Sequence, residues 1–162
     1  MAMHIFKNDF VIEIGSRDNP KIHSDVLCDK FIDDNTQRAG DVVKDRPIVE
    51  DDIEYLPFPD KCFDYAICSH VLEHAESPER MFKELMRISH RGYIEAPSEI
   101  AERLFGWPFH KWFINLLDNR LVLTRKNSED SFGLFFHYLL AHDKYFLRLY
   151  GRYPQPLIQF HL

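Results

Sequence analysis

The feature that most constrains this chain is a succession of short apolar runs, each stopped by a residue able to contact a ligand. Phe10-Val11-Ile12-Glu13-Ile14 is rich in β-branched residues and is stopped by Gly15. Asp25-Val26-Leu27-Cys28 is stopped by Asp29, and Phe63-Asp64-Tyr65-Ala66-Ile67-Cys68 runs into Ser69-His70. Gly92-Tyr93-Ile94-Glu95-Ala96 is stopped by Pro97, and a weaker run, Pro47-Ile48-Val49-Glu50, lies between the second and third. Strands buried on both faces of a parallel sheet read this way.

The clearest helix lies between the last two of the stronger runs. Ser77 is placed to cap it, Pro78 suits its first position, and Glu79 favours its N-terminal dipole. Met81, Phe82, Leu85 and Ile88 share a face, with Lys83, Glu84 and Arg87 outside, and His90-Arg91-Gly92 supplies a stop. Strand, helix, strand is a right-handed βαβ unit. The fold class expected is therefore α/β, a Rossmann-like, mostly parallel sheet with helices on both faces. It is a minimal version, because only about ten residues separate Gly15 from the second strand, where a crossover needs a dozen or more. Asp18-Asn19-Pro20 is expected to turn there in place of the first helix.

Past Pro97 the pattern loosens. Ile100 to Phe109 reads as a helix ending at Gly106, Arg120 to Thr124 as a strand, and Phe132 to Leu149 as an aromatic, histidine-rich stretch. Pro154-Gln155-Pro156 reads as a tail. The organisation expected is one domain, with a binding core over residues 10–98 and a C-terminal extension over 99–162 that faces the substrate.

Composition removes several classes of function. A net charge of −6 argues against a general nucleic-acid binder, and no basic run of five to eight residues is present. Charges interrupt every long apolar stretch, so no membrane span is expected, and the N-terminus lacks the apolar core of a secretory signal. The three cysteines form no CxxC pair, which argues against a disulfide framework or a cysteine-zinc site. A cytoplasmic setting is expected.

In an open α/β sheet the ligand sits beyond the carboxyl ends of the strands. Those ends read Gly15-Ser16-Arg17-Asp18-Asn19, Asp29-Lys30, Asp51-Asp52-Ile53-Glu54 and Ser69-His70. A glycine for close backbone approach, a carboxylate for a ribose diol, and acidic and amide groups for a base edge are what a nucleoside needs.

On these residues the chain resembles the class I S-adenosylmethionine-dependent methyltransferases, in the small branch with an E-x-G first motif and an L-P-F motif. The residues that carry the resemblance are Glu13-Ile14-Gly15-Ser16, Asp29, Asp52 to Phe58, Phe63-Asp64-Tyr65, Ser69 to His74 and Glu84 to Ile88. The resemblance implies S-adenosyl-L-methionine as cofactor, with Glu13 and Gly15 bordering its methionine and ribose part and Ser16 beside them. Asp29 would take the ribose hydroxyls, with Lys30 adjacent, and the Asp52 side chain and Ile53 amide would read adenine. Ser69 and His70 would flank the sulfonium and the acceptor, a small molecule or sugar.

The chain departs from the family where Arg17 replaces the second glycine of the usual G-x-G-x-G loop. The first strand also starts near residue 10, which leaves no N-terminal lid helices, so the site is expected to be open or completed by a homodimer or partner chain. His70 is the first choice for a proton acceptor and His110 the second. His110-Lys111-Trp112 and Trp107 read either as a substrate wall or as a mixture of core and surface, and His137 and His142 as core-edge residues. His70-Val71-Leu72-Glu73-His74 also matches the H-x-x-E-H zinc peptidase pattern, which needs a sustained helix and a third ligand. A nicotinamide dehydrogenase would want the full glycine-rich turn. A non-catalytic binding or scaffolding module is the more serious rival.

Overall fold

The computed structural model describes residues 3–33, 41–118, 120–127, 132–150 and 157–161. The predicted Pro154-Gln155-Pro156 tail lies outside them. In chain order come β1 (Val11–Ile14), β2 (Val26–Asp29), β3 (Ile48–Glu50) and β4 (Phe63–Ser69), then α1 (Pro78–Ile88) and β5 (Ser89–Pro97). There follow α2 (Glu99–Phe105), β6 (Trp112–Leu117), β7 (Arg120–Arg125), α3 (Phe132–His142), α4 (Lys144–Tyr150) and β8 (Leu157–His161). The chain divides into two compact units, Met1–Glu95 with Gln159–Leu162, and Ala96–Ile158.

The first unit is a sheet in the order β3-β2-β1-β4-β5-β8, with parallel pairings from β3 through to β5. This is a Rossmann-like sheet, whose strand order reverses between β1 and β4. All four residues of β1 are buried, and Val11 packs with Tyr65, Ile67 and Tyr93 in one apolar cluster. On α1, Met81, Leu85 and Ile88 have no exposed surface. Burial of each such side chain contributes roughly 1.5–3 kcal/mol. Among the described residues α1 is the one α-helix of this unit. Residues 15–25, between β1 and β2, hold turns and no helix, as their spacing predicts, with Asn19 N–H donating to Ser16 O at 3.3 Å.

Three boundaries differ from expectation. Phe10 lies outside β1, half-exposed, with its ring stacked on Phe63. His90-Arg91-Gly92 belongs to β5 and is no helix stop. The helix ends instead at Ser89, whose N–H and hydroxyl both donate to Leu85 O, and whose extended backbone starts the strand at once. Ser77 makes no side-chain cap, and its N–H donates to Glu54 Oε1 at 2.8 Å.

Residues 157–161 form β8 beside β5, a strand that the sequence did not announce. Gln159 Nε2 donates to Glu95 Oε2 there at 2.9 Å.

In the second unit, Ser98 Oγ caps α2 by accepting from Ala101 N–H at 3.2 Å. β6 and β7 form an antiparallel hairpin, and β6 was not legible as a strand. The aromatic stretch divides into α3 and α4, where Asp143 Oδ1 accepts from the N–H groups of Tyr145 and Phe146. Buried Phe136 meets the rings of Phe105, Phe146 and Tyr150. Among the described residues no helix is long and apolar enough to cross a membrane.

One ionic network pins the L-P-F loop to α1. The Arg87 guanidinium donates to both carboxylate oxygens of Glu84 and to the carbonyls of Leu56 and Phe58, while Leu56 N–H donates back to Glu84 at 2.8 Å. The Arg87 hydrogen bonds hold the Glu84 carboxyl below its ordinary value. A carboxyl lowered in the folded state contributes stability above its unfolded value, about pH 4.3, and loses it as pH falls through the folded value. We therefore expect Glu84→Gln to lower stability at neutral pH and to flatten its fall below about pH 4.3. Urea midpoints across the acid range check this, and a variant with the wild-type acid slope would contradict it.

Candidate functional site

A cleft opens at the carboxyl ends of β1 to β4, where the strand order reverses. Gly15 and Arg17 line it after β1, Asp29 and Lys30 at β2, Asp51, Asp52 and Ile53 after β3, and His70 and Val71 after β4. Gly15 has φ +71°, and a Cβ there would stand 2.3 Å from Val71 Cγ2. Valine is stiff at that branch, so position 15 accepts no side chain without movement. Arg17 also takes the left-handed backbone, at φ +55°, and its Nη2 donates to His70 O at 3.2 Å. The loop thus keeps a glycine-like path at Arg17, and the guanidinium becomes part of the cleft wall.

Asp29 is buried, and its Oδ1 accepts from Phe31 N–H at 3.1 Å. Lys30 Nζ lies 2.6 Å from Asp52 Oδ2, and this hydrogen bond raises the lysine pKa. Asp52 Oδ1 accepts from Glu54 N–H at 3.0 Å, and Asp52 O from Tyr55 N–H at 2.8 Å, so Ile53 sits at the corner of a tight turn.

Three expected contact residues do not line the cleft. Glu13 is buried and its Oε2 accepts from Lys21 N–H at 2.7 Å and Ser24 Oγ at 2.5 Å, which closes the β1–β2 connection. The hydroxyls of Ser16 and Ser69 are buried, and neither has a hydrogen-bond partner among the described residues. Buried polar atoms of this kind are uncommon in native structures.

His70 is the pivot of the β4 loop. It has φ +56°, its N–H donates to Glu95 O at 2.8 Å, and about a third of its side chain is exposed. Its Nδ1 lies 3.3 Å from Glu73 Oε1 and its Nε2 3.8 Å from Glu95 Oε1. Leu72–His74 form a single 3-10 turn, so His70 and His74 are not stacked one α-helical turn apart. The helix that an H-x-x-E-H peptidase needs is not formed. From sequence His74 reads as a packing or capping residue and Arg17 as an obstacle to close backbone approach, yet both line the cleft. Neither conformation has a local sequence signal. Burial pushes the Cys28 thiol up to about 12 and the Cys68 thiol well above its ordinary value. Neither thiol is therefore poised as a nucleophile.

His110 belongs to the second unit, where its Nδ1 meets Glu102 Oε2 at 2.7 Å. Glu102 Oε1 in turn lies 2.5 Å from Lys126 Nζ, which also donates to Trp107 O. All three side chains are almost wholly buried. Trp107 stacks on His137, whose pKa is lowered by burial.

Residues 24–94 match the family model described as a methyltransferase domain. The match covers the loops after β2, β3 and β4, while β1 and Gly15 precede it. A search of the curated proteins returned no match. Among solved structures, the chain is similar to a SAM-dependent methyltransferase of Thermotoga maritima described as a possible histamine N-methyltransferase. That likeness has 17% identity and a TM-score of 0.48, and covers 59% of this chain and 47% of that one. A SAM-dependent methyltransferase from Methanosarcina mazei has 14% identity and a TM-score of 0.46, over 81% of this chain and 79% of that one. An S-adenosylmethionine dependent methyltransferase from Mesorhizobium loti has 12% identity and a TM-score of 0.41, over 74% and 58%. The chain spans about half the length of the Thermotoga protein.

The Lys126–Glu102–His110 cluster makes a structural prediction. Removing one partner of a buried ion pair costs about 3–5 kcal/mol, because the other charge is left uncompensated. Glu102→Ala should therefore destabilise the protein by an amount in that range. A loss well under 1 kcal/mol in chemical denaturation would show that the cluster is not held as charges.

Proposed function

We propose that the chain, whose residues 24–94 match a methyltransferase domain, is a class I S-adenosylmethionine-dependent enzyme that methylates a small-molecule or sugar acceptor. The observation that carries this reading is the cleft at the strand-order reversal, with Gly15, Asp29, Asp52 and His70 on its four loops. The residues present fit the cofactor: position 15 lacks a Cβ where the backbone must approach a ligand, and a buried carboxylate ends β2.

S-adenosylmethionine, when bound, supplies a methyl group on a sulfonium, activated for in-line displacement. The chain's residues bind and align. Asp29 accepts from the ribose hydroxyls. Asp52, held by Lys30, and the Ile53 N–H read the adenine edge. Gly15 lets the first loop close on the ribose and methionine part, with Ser16 and Ser69 as hydroxyls behind the two loops. Glu13 acts through the loop that it closes. Alignment of this kind can supply much of the rate.

His70 takes the acceptor's proton at a ring nitrogen, a task that suits imidazole near neutral pH. His110 is committed to Glu102, so His70 is the base that we assign. A reducing compartment such as the cytoplasm fits the free thiols Cys28, Cys62 and Cys68. A non-catalytic binding module is the second reading, favoured by the helix-free β1–β2 connection and by Arg17 in the first loop.

Transfer of tritiated methyl from S-adenosylmethionine into fractionated metabolites and sugar precursors separates the two. The enzyme reading expects incorporation, reduced on the order of a hundredfold in His70→Ala with cofactor affinity kept. Normal turnover by that variant would remove His70 from the mechanism. Cofactor binding without transfer to any fraction would favour the binding module.

A further inference from the structure

The surroundings of His70 hold a group that the mechanism above does not use. Glu73 is fully buried in the 3-10 turn that follows, and its Oε1 is 3.3 Å from His70 Nδ1. A carboxylate loses its hydration on such burial, a large cost unless a hydrogen-bonded or charged partner compensates. His70 itself is held on both sides of its backbone, by its N–H to Glu95 O and by Arg17 Nη2 to its carbonyl. Those bonds support a left-handed conformation that a residue with a side chain adopts only at a cost. The imidazole is thus fixed at the mouth of the loop, with one nitrogen toward a buried carboxylate.

The two ring nitrogens have different surroundings. Nδ1 approaches Glu73 Oε1 at 3.3 Å, an ion-pair distance without hydrogen-bond geometry as the ring stands, whereas Nε2 is farther from its nearest carboxylate, 3.8 Å from Glu95 Oε1. Glu95 is already engaged, its Oε2 accepting from Tyr93 Oη at 2.6 Å and Gln159 Nε2 at 2.9 Å.

We propose that Glu73 is the positioning residue for His70, accepting its Nδ1–H and so leaving Nε2 as the lone pair that meets the methyl acceptor. This rests on His70 being the proton acceptor. In the transfer step the acceptor's lone pair forms the bond to the methyl carbon, and the carbon–sulfur pair stays on sulfur. The acceptor's proton passes to Nε2, which produces an imidazolium beside the Glu73 carboxylate. Glu73 touches neither substrate nor cofactor, and its effect is exerted through the tautomer and orientation of the ring.

Two readouts test this. Two-bond nitrogen–proton spectra of the wild-type protein with 15N-labelled histidine, taken on the neutral ring, should show the Nδ1–H tautomer at His70. Glu73→Gln should lower kcat roughly ten- to a hundredfold with little change in the KM for S-adenosylmethionine, and should cost nothing further in a His70→Ala background. An Nε2–H tautomer in the wild type, or an equal loss from Glu73→Gln in both backgrounds, would overturn the proposal. If the wild type transfers no methyl, the proposed function fails, and the tautomer alone then decides the role of Glu73. The same spectrum decides it if Glu73→Gln does not fold.

Discussion

Gly15 and Val71 meet where β1 and β4 lie side by side, and the site depends on that contact. The strand order reverses at this pair, so the loops after β1 and β4 leave in opposite directions and open a crevice between them. At the exit from β1 there is no room for a Cβ. Three left-handed residues, Gly15, Arg17 and His70, steer these two loops, and Arg17 ties them together through the His70 carbonyl. The strain at two non-glycine positions is thus concentrated at the mouth of the cleft, where strained backbone is commonly functional.

Three of the buried glutamates, Glu13, Glu73 and Glu102, divide the remaining work. Glu13 accepts from the short β1–β2 connection and stands in for the missing first helix as the means of closing it. Glu73 sits beside His70. Glu102 lies between Lys126 and His110 in the second unit. Each side chain is almost completely removed from water, so each needs the partners that it has. None of them lines the cleft, yet two act on loops that do.

β1, β2 and β4 were legible because they are mostly buried and read as short continuous apolar runs, whereas β3 is half-buried to exposed and reads more weakly. The start of β5 was not, since Ser89 ends the helix and begins the strand with no loop between. Trp112-Phe113-Ile114 reads as an aromatic cluster, and its hairpin turns at Asp118, φ +48°, without a glycine to announce it. β8 follows a proline-bearing stretch that reads as a tail, and its place beside β5 is a long-range pairing with no local signal. The positions of Gly15, Asp29, Asp52 and His70 on the cleft followed from the rule that ligands gather at strand ends. The partners of Glu13 and His110 did not, because they depend on which side chains tertiary folding brings within reach.

The most direct test of the account is a calorimetric titration of S-adenosylmethionine into the wild-type protein and Asp29→Ala. The account predicts saturable binding at one site per chain, weakened about tenfold by the loss of one charged hydrogen-bond acceptor. No binding by the wild type, or the same affinity in both proteins, would contradict it.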